Sequence, residues 1–261
     1  MEITIITGNE RRHKYFSNLL LKVTNKLNVI REIRISAKIK NKPKLSKNIK
    51  KYFSNLEKIE KKLFKIKKNK NSSNKLKIYS IASKKLNNQK IEFFKNFKNT
   101  NLFILYGCSF VNGNLYNFLK KKKVICIHMG ISPYYIGSDC NFWALYDGNP
   151  HLVGATIQKF SKKFEEGDII YHSIPNNKKD PQEYSALASK IAFKSLIMKI
   201  KNKTLFKTKT RKQNKKIIIR KAKKTEFTDK IVKKYFSMNI NTKIREFDLI
   251  QLKDPFFFHK I

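Results

Sequence analysis

In a chain where 59 of 261 residues are Lys or Arg, the 35 positions from Val124 to Gln158 contain neither. Independent placement would leave such a window empty about once in ten thousand trials. Seven of the eight glycines lie between Gly107 and Gly167, together with all three cysteines and the single tryptophan, Trp143. Burial excludes lysine, so a pair of core strands joined by tight turns accounts for part of the pattern. It does not account for Gly130, Ser132, Pro133, Gly137, Asp139 and Asn141 within one short run. Polar, glycine-punctuated loops beside buried strands are where sites are built. Whatever fold the chain adopts must place this block at its centre.

The flanking pattern is one of short strands alternating with helices. Ile3–Thr7 reads as a first strand, followed by a helix over Glu10–Asn25 and a second strand over Val29–Ser36. Further strands are expected at Leu76–Ser80, Leu102–Gly107, Val124–Ile127 and Ile169–Ser173, with helices over Lys84–Phe97, Asn114–Lys122 and Pro181–Met198. This alternation indicates an α/β domain with a mostly parallel sheet flanked by helices, over residues 1–199. A Lys- and Asn-rich stretch over about residues 37–74, helical around Ile49–Phe64, reads as an insertion. Residues 200–261 read as a small basic C-terminal appendage with a strand at Lys216–Arg220 and a helix at Asp229–Phe236. In open parallel sheets ligands bind at the carboxyl ends of strands, which singles out the loops Tyr106–Asn112 and His128–Gly137.

The formal charge of +41 raises the question of nucleic acid. Arginine, the better phosphate-recognition side chain, occurs only seven times, and lysine supplies the other 52 basic residues. Lys, Asn, Ile, Phe and Tyr are abundant together, the set favoured by A+T-rich codons. Composition bias and a functional basic surface both fit, and the first is preferred. No run of about eighteen apolar residues indicates a membrane span, and Met1–Ile6 lacks the features of a signal peptide. Cys108, Cys126 and Cys140 have neither metal-ligand spacing nor the density of a disulfide framework, so no metal is expected and a cytoplasmic location is.

Within the block, His128 follows a buried strand, and period-two geometry puts Cys126 on the same face. A histidine at a strand end is by itself as readily structural as functional. This one opens His128-Met129-Gly130-Ile131-Ser132-Pro133-Tyr134-Tyr135-Ile136-Gly137, followed by Asp139, Trp143, Gly154-Ala155-Thr156-Ile157 and Glu165-Glu166-Gly167-Asp168. The series resembles the folate-dependent formyltransferase family, which includes methionyl-tRNA formyltransferase, glycinamide ribonucleotide transformylase and the sugar N-formyltransferases. The likeness is dense over Leu102–Ser173. Gly8-Asn9-Glu10 and Phe227-Thr228-Asp229 also look like one subgroup of it.

The resemblance implies a Rossmann-like formyltransferase fold and transfer of a formyl group from 10-formyltetrahydrofolate to an amine. It maps the catalytic histidine to His128, the amide-bearing position to Cys126 and the carboxylate to Glu165. It places the folate between Gly107, Ser109, Val111 and Asn112 on one side and Lys162, Lys163 and Phe164 on the other, held largely by backbone groups. Four positions depart from the family pattern: Cys126 replaces Asn, Glu165 replaces Asp, Ile136 replaces Arg and Gln158 replaces His. A thiol is a poor substitute for an amide donor, and a Cys126–His128 thiolate–imidazole pair is an alternative chemistry for the same residues.

Three functions are therefore weighed: a formyltransferase for a small amine or nucleotide-sugar amine, a degenerate folate- or nucleotide-binding relative, and a basic RNA-associated protein. A small acceptor is preferred over Met-tRNA because the tail shows no second barrel domain. If the lysines are compositional, RNA affinity measured by filter binding should collapse between low and physiological salt. Selective binding that survives physiological salt would instead make RNA the partner.

Overall fold

A computed structural model describes residues 1–33, 46–66, 74–176, 178–207 and 209–243. Glu2–Thr7 (β1) carries Ile3, Ile5 and Ile6, all fully buried, because a central parallel strand is covered on both faces. Arg11–Leu20 (α1) returns the chain to Lys26–Ile33 (β2), and Lys47–Leu63 (α2) precedes Leu76–Ala82 (β3). Ile91–Lys95 (α3) leads to Leu102–Tyr106 (β4), which pairs parallel to β1 on the side away from β2. The order of strands therefore reverses between β1 and β4. Gly113–Leu119 (α4) connects to Val124–His128 (β5), parallel to β4.

The sheet is completed by an antiparallel meander. Ala155–Lys159 (β7) pairs with β5, and Ile169–Ser173 (β8) pairs with β7, giving the order β3-β2-β1-β4-β5-β7-β8. Between β5 and β7 lie the short strand Tyr135–Gly137 (β6) and the helix Cys140–Tyr146 (α5). Pro181–Lys201 (α6) is started by Asp180, whose carboxylate accepts the Glu183 N–H at 2.6 Å, with Pro181 at the first helical position. One face of the sheet packs on α1 and α6 through Phe16, Phe193 and Leu196. The other packs on α3 and α4 through Phe94, Leu115 and Leu119. A mostly parallel sheet flanked by helices is the architecture expected from the sequence.

The described part of the tail runs back across this domain. Arg220–Ala222 (β9) pairs in parallel with β6, and Asp229–Ser237 (α7) buries Val232 and Tyr235 beside Tyr52, Phe142 and Trp143. Arg220 donates to both oxygens of Asp147, at 2.9 and 2.8 Å, and lies 4.3 Å from the centre of the Trp143 ring. Asp229 accepts from the Asn48 and Ile49 N–H groups at 2.9 and 3.2 Å, so the first turn of α7 caps the N-terminus of α2. The Lys-rich stretch and the tail are thereby packed together; residues 34–45, 67–73 and 244–261 lie outside the described residues.

Three local expectations are corrected. The helix expected over Lys84–Phe97 divides into a 3₁₀ turn at Leu86–Asn88 and α3. Asn87 is held by the next loop, donating to the Phe110 carbonyl at 2.6 Å and accepting from the Asn112 N–H at 3.0 Å. The strand expected at Lys216–Arg220 is a 3₁₀ turn at Lys215–Ile217 followed by β9, because Asn214 accepts from Lys216 N–H and bends the chain. The helix expected to run to Asn25 ends at Leu20.

Gly137 joins the block to the tail. Its φ is +99°, and a Cβ there would sit 2.1 Å from the Ala222 carbonyl oxygen. Gly137→Ala should therefore cost at least about 2 kcal/mol in urea unfolding, from backbone strain and collision together. An unchanged midpoint would show that β9 is not seated on β6.

Candidate active site

The strand reversal leaves a crevice at the carboxyl ends of β1, β4 and β5, and there the chain encloses a cavity of about 370 Å³. Its floor is His128, Cys126 and Gln158. One wall is Leu105–Val111 after β4, and the facing wall includes Lys159–Ser161 and Lys163–Glu165 after β7. Arg12 and His13 of α1, with Tyr52, Phe53, Leu56 and Glu60 of α2, form the opposite end. At the mouth the exposed rings of Phe110 and Phe164 meet edge to face, 6.0 Å apart.

His128 is 5 % exposed. Its Nδ1 lies 2.7 Å from Glu165 Oε1 and its Nε2 lies 2.9 Å from the Tyr135 carbonyl oxygen. Both ring nitrogens face oxygens that accept, so both carry protons and the ring is an imidazolium. Burial opposes that charge, but the adjacent Glu165 carboxylate outweighs it, and the pKa is held well above its ordinary range. The other Glu165 oxygen accepts from the Gly137 N–H at 2.7 Å. Glu165 itself has φ +56°, a left-handed conformation that a non-glycine residue keeps only when its surroundings hold it. Gly130 is required beside the ring, because a Cβ there would approach His128 Nε2 to 2.7 Å.

The three residues that the resemblance maps to chemistry are thus brought to one cavity, His128 and Cys126 in its floor and Glu165 in its wall. Cys126 remains a thiol: burial, with smaller contributions from Cys108 and Glu165, pushes its pKa far up. With both nitrogens of His128 engaged by Glu165 and Tyr135, a thiolate–imidazole pair between Cys126 and His128 does not form. Cys140, whose thiol donates to the Gly137 carbonyl at 3.4 Å, also neighbours His128. Burial and Glu32 push the Cys108 thiol up to about 12.

Of the residues expected to hold a ligand through their backbone, Gly107, Ser109, Val111, Lys163 and Phe164 line the cavity, whereas Asn112 and Lys162 do not. The Ser109 N–H donates to Glu32 at 2.5 Å and the Asn112 N–H to Asn87, so neither is free. The sequence reading missed the α1 and α2 contributions. Arg12 Nη1 donates to Glu60 Oε1 at 2.5 Å, and His13 Nδ1 accepts from Gly8 N–H while its Nε2 meets Glu10 at 2.9 Å. The available signal was Glu60 lying in the helical stripe of Tyr52, Leu56 and Leu63, a charge where the period calls for an apolar residue. Among the described residues no group of His, Cys, Asp and Glu could hold a metal, and no helix is long and apolar enough to cross a membrane.

No family model and no curated protein matches this chain. Solved structures do. A 4-N formyltransferase from Francisella tularensis is 17% identical over 87% of this chain and 77% of that one, with a TM-score of 0.54. A sugar N-formyltransferase from Shewanella sp FDAARGOS_354 is 15% identical over 87% and 78%, at 0.53. The formyltransferase PseJ from Anoxybacillus kamchatkensis, in complex with UDP-4,6-dideoxy-4-formamido-L-AltNAc and tetrahydrofolate, is 14% identical over 92% of each chain, at 0.50. The chain has the α/β fold of these formyltransferases, and at such identities the likeness is one of fold.

The His128–Glu165 pair has a pH signature. A folded pKa raised above the unfolded value of about 6.5 contributes stability that is fully present below that pH. The contribution is lost as pH rises through the folded value. Urea unfolding should therefore show stability falling above about pH 6.5, by at most about 1.4 kcal/mol per pH unit from this group. Glu165→Gln should flatten that slope; an identical slope in the variant would mean that His128 is not held as an imidazolium by Glu165.

Proposed function

We propose that this protein transfers a formyl group from 10-formyltetrahydrofolate to the amine of a small molecule, and that the acceptor is an amino sugar carried on a nucleotide. The observation that carries the reading is the pairing of buried His128, on the floor of a strand-end cavity, with Glu165 in its wall, in a formyltransferase fold. The cavity is of the size that encloses small ligands. The loops Leu105–Val111 and Lys159–Glu165 provide two walls for a flat pterin, and the Phe110–Phe164 pair provides apolar surface at the mouth.

The amine nitrogen attacks the formyl carbon, a C–N bond forms, and the bond from that carbon to N10 of the folate breaks. The proton released by the amine ends on N10. Negative charge develops on the formyl oxygen in between, and donors held in place before the reaction stabilise it. The His128 imidazolium is the cationic donor nearest that need. Glu165 orients the ring and keeps it charged in a buried setting. Using His128 Nε2 for the substrate requires releasing its bond to the Tyr135 carbonyl. The end of the cavity formed by α1 and α2 sets Arg12, His13 and Glu60 beside the apolar Tyr52, Phe53 and Leu56, and these polar groups suit a hydroxyl-rich acceptor. The packing of residues 209–243 on the domain also favours a small acceptor over a tRNA.

Cys126 favours a second reading, a folate-binding protein that no longer turns over, because the resemblance places an amide donor there. The two readings separate experimentally. 5-Formyltetrahydrofolate at a hundred times its Kd should stabilise the protein by about 2.7 kcal/mol in a thermal shift assay under either reading. Under formyl transfer, wild type releases tetrahydrofolate in the presence of a nucleotide amino sugar, and His128→Ala removes that activity. Under the binding-only reading, wild type stays at background and Cys126→Asn raises it. No thermal shift, or a robust rate that His128→Ala leaves untouched, would sink the assignment.

A further inference from the structure

Resting on the formyl-transfer reading, we propose that Gln158 is a catalytic residue, its side-chain Nε2 donating to the formyl oxygen in place of the amide absent at position 126. The first ground is register. Cys126 and Gln158 are directly opposed partners in the antiparallel β5–β7 pair. Opposed residues project from the same face of a sheet, with Cβ atoms about 5 Å apart. His128, two residues along β5, shares that face, and all three line the cavity. A donor moved from one position to its cross-strand neighbour stays over the same floor, and glutamine is one methylene longer than asparagine.

The second ground is the direction of the amide. Gln213 Nε2 lies 2.7 Å from the Glu165 carbonyl oxygen, 2.8 Å from the Gly167 carbonyl oxygen and 2.9 Å from Gln158 Oε1. Two of these partners are backbone carbonyls, which only accept, so the Gln213 group facing them is its NH₂. The Gln158 atom facing the same NH₂ must then be its oxygen. That leaves the Gln158 NH₂ turned away, without a hydrogen-bond partner among the described residues, on a side chain only 2 % exposed. It is not sealed within the protein: the Gln158 side chain lines the cavity, from which this NH₂ is accessible. A donor open to the cavity floor is placed to take its partner from the substrate. Gln213 is then a positioning residue. It fixes the amide of Gln158 and, through the Glu165 and Gly167 carbonyls, the loop that carries the carboxylate for His128.

The departures at positions 126 and 158 are on this account linked: the amide passes from one strand to its neighbour, a thiol takes its place at 126, and the histidine of the family pattern at 158 is given up. Gln158 moves no proton; it lends a neutral donor to an oxygen that becomes negative as the amine attacks.

The test compares Gln158→Met, which keeps length and loses the donor, with Gln158→Glu, which keeps the oxygen for Gln213 and also loses the donor. Each variant is first matched to wild type in its melting temperature and circular dichroism. Two quantities are then measured on the full chain: turnover of 10-formyltetrahydrofolate with nucleotide amino sugars, and the ratio of affinities for 5-formyltetrahydrofolate and tetrahydrofolate. Both variants should lose about a hundred- to thousandfold in kcat with little change in KM, and the preference for the formylated ligand should shrink. Cys126→Asn should recover rate in the Gln158→Met background and add little to wild type. Wild-type kcat, or an unchanged affinity ratio, in both variants overturns the role of Gln158 while leaving formyl transfer standing. If wild type binds neither folate, formyl transfer and the role of Gln158 fall together.

Discussion

The pairing of one buried cation with one partly buried carboxylate organises this molecule. An imidazolium that is 5 % exposed survives only with an opposite charge against it, and Glu165 supplies that charge at 2.7 Å. Satisfying Glu165 in turn recruits the Gly137 N–H, and satisfying the second His128 nitrogen recruits the Tyr135 carbonyl. Both belong to β6, a three-residue strand that gains its ladder from β9 in the tail. The loop carrying Glu165 is held from the same tail, through Gln213. Three distant stretches of chain therefore converge on one ring, and the tail is part of the site's architecture.

This dependence explains which features the sequence disclosed. The sheet was legible because buried parallel strands such as Ile3–Thr7 and Leu102–Tyr106 are uncharged runs rich in apolar residues, and composition bias toward lysine cannot enter them. The lysine-free window was legible for the same reason, since from β5 through β7 it is mostly buried. His128, Cys126 and Glu165 stood out through the spacing of the motifs around them. Asn87 shows where local reading fails: its flanks are helix-like, yet its side chain bonds the backbone of Phe110 and Asn112 across a loop. Arg12 and Glu60 were invisible as site residues because they reach the cavity from separate segments, and Gln213 because it acts through Gln158 and the Glu165 loop; pairings of this kind leave no periodic trace.

The lysines occupy what remains. Among the described residues some form surface pairs such as Lys215–Glu166 at 2.7 Å or Lys61–Glu57 at 2.7 Å, contacts of the kind that contribute little to stability, and others lie over aromatic rings, as Lys199 does over Tyr171. The structurally committed basic residues are the arginines Arg12 and Arg220, each set against a carboxylate, and Arg220 also against an aromatic face. That division is the one composition bias produces: lysine accumulates where substitution is tolerated, while planar guanidinium groups are kept where geometry is demanded.

Formyl transfer as proposed needs the cavity to receive a formyl-bearing folate with its reactive group over His128 and Gln158. A crystal structure of the protein grown with saturating 5-formyltetrahydrofolate tests it most directly. The account requires the pterin between Leu105–Val111 and Lys159–Glu165, with the formyl group over the His128–Gln158 floor and its oxygen within hydrogen-bond reach of Gln158 Nε2. Folate bound elsewhere, or lying in the cavity with its formyl group turned away from both residues, would contradict it.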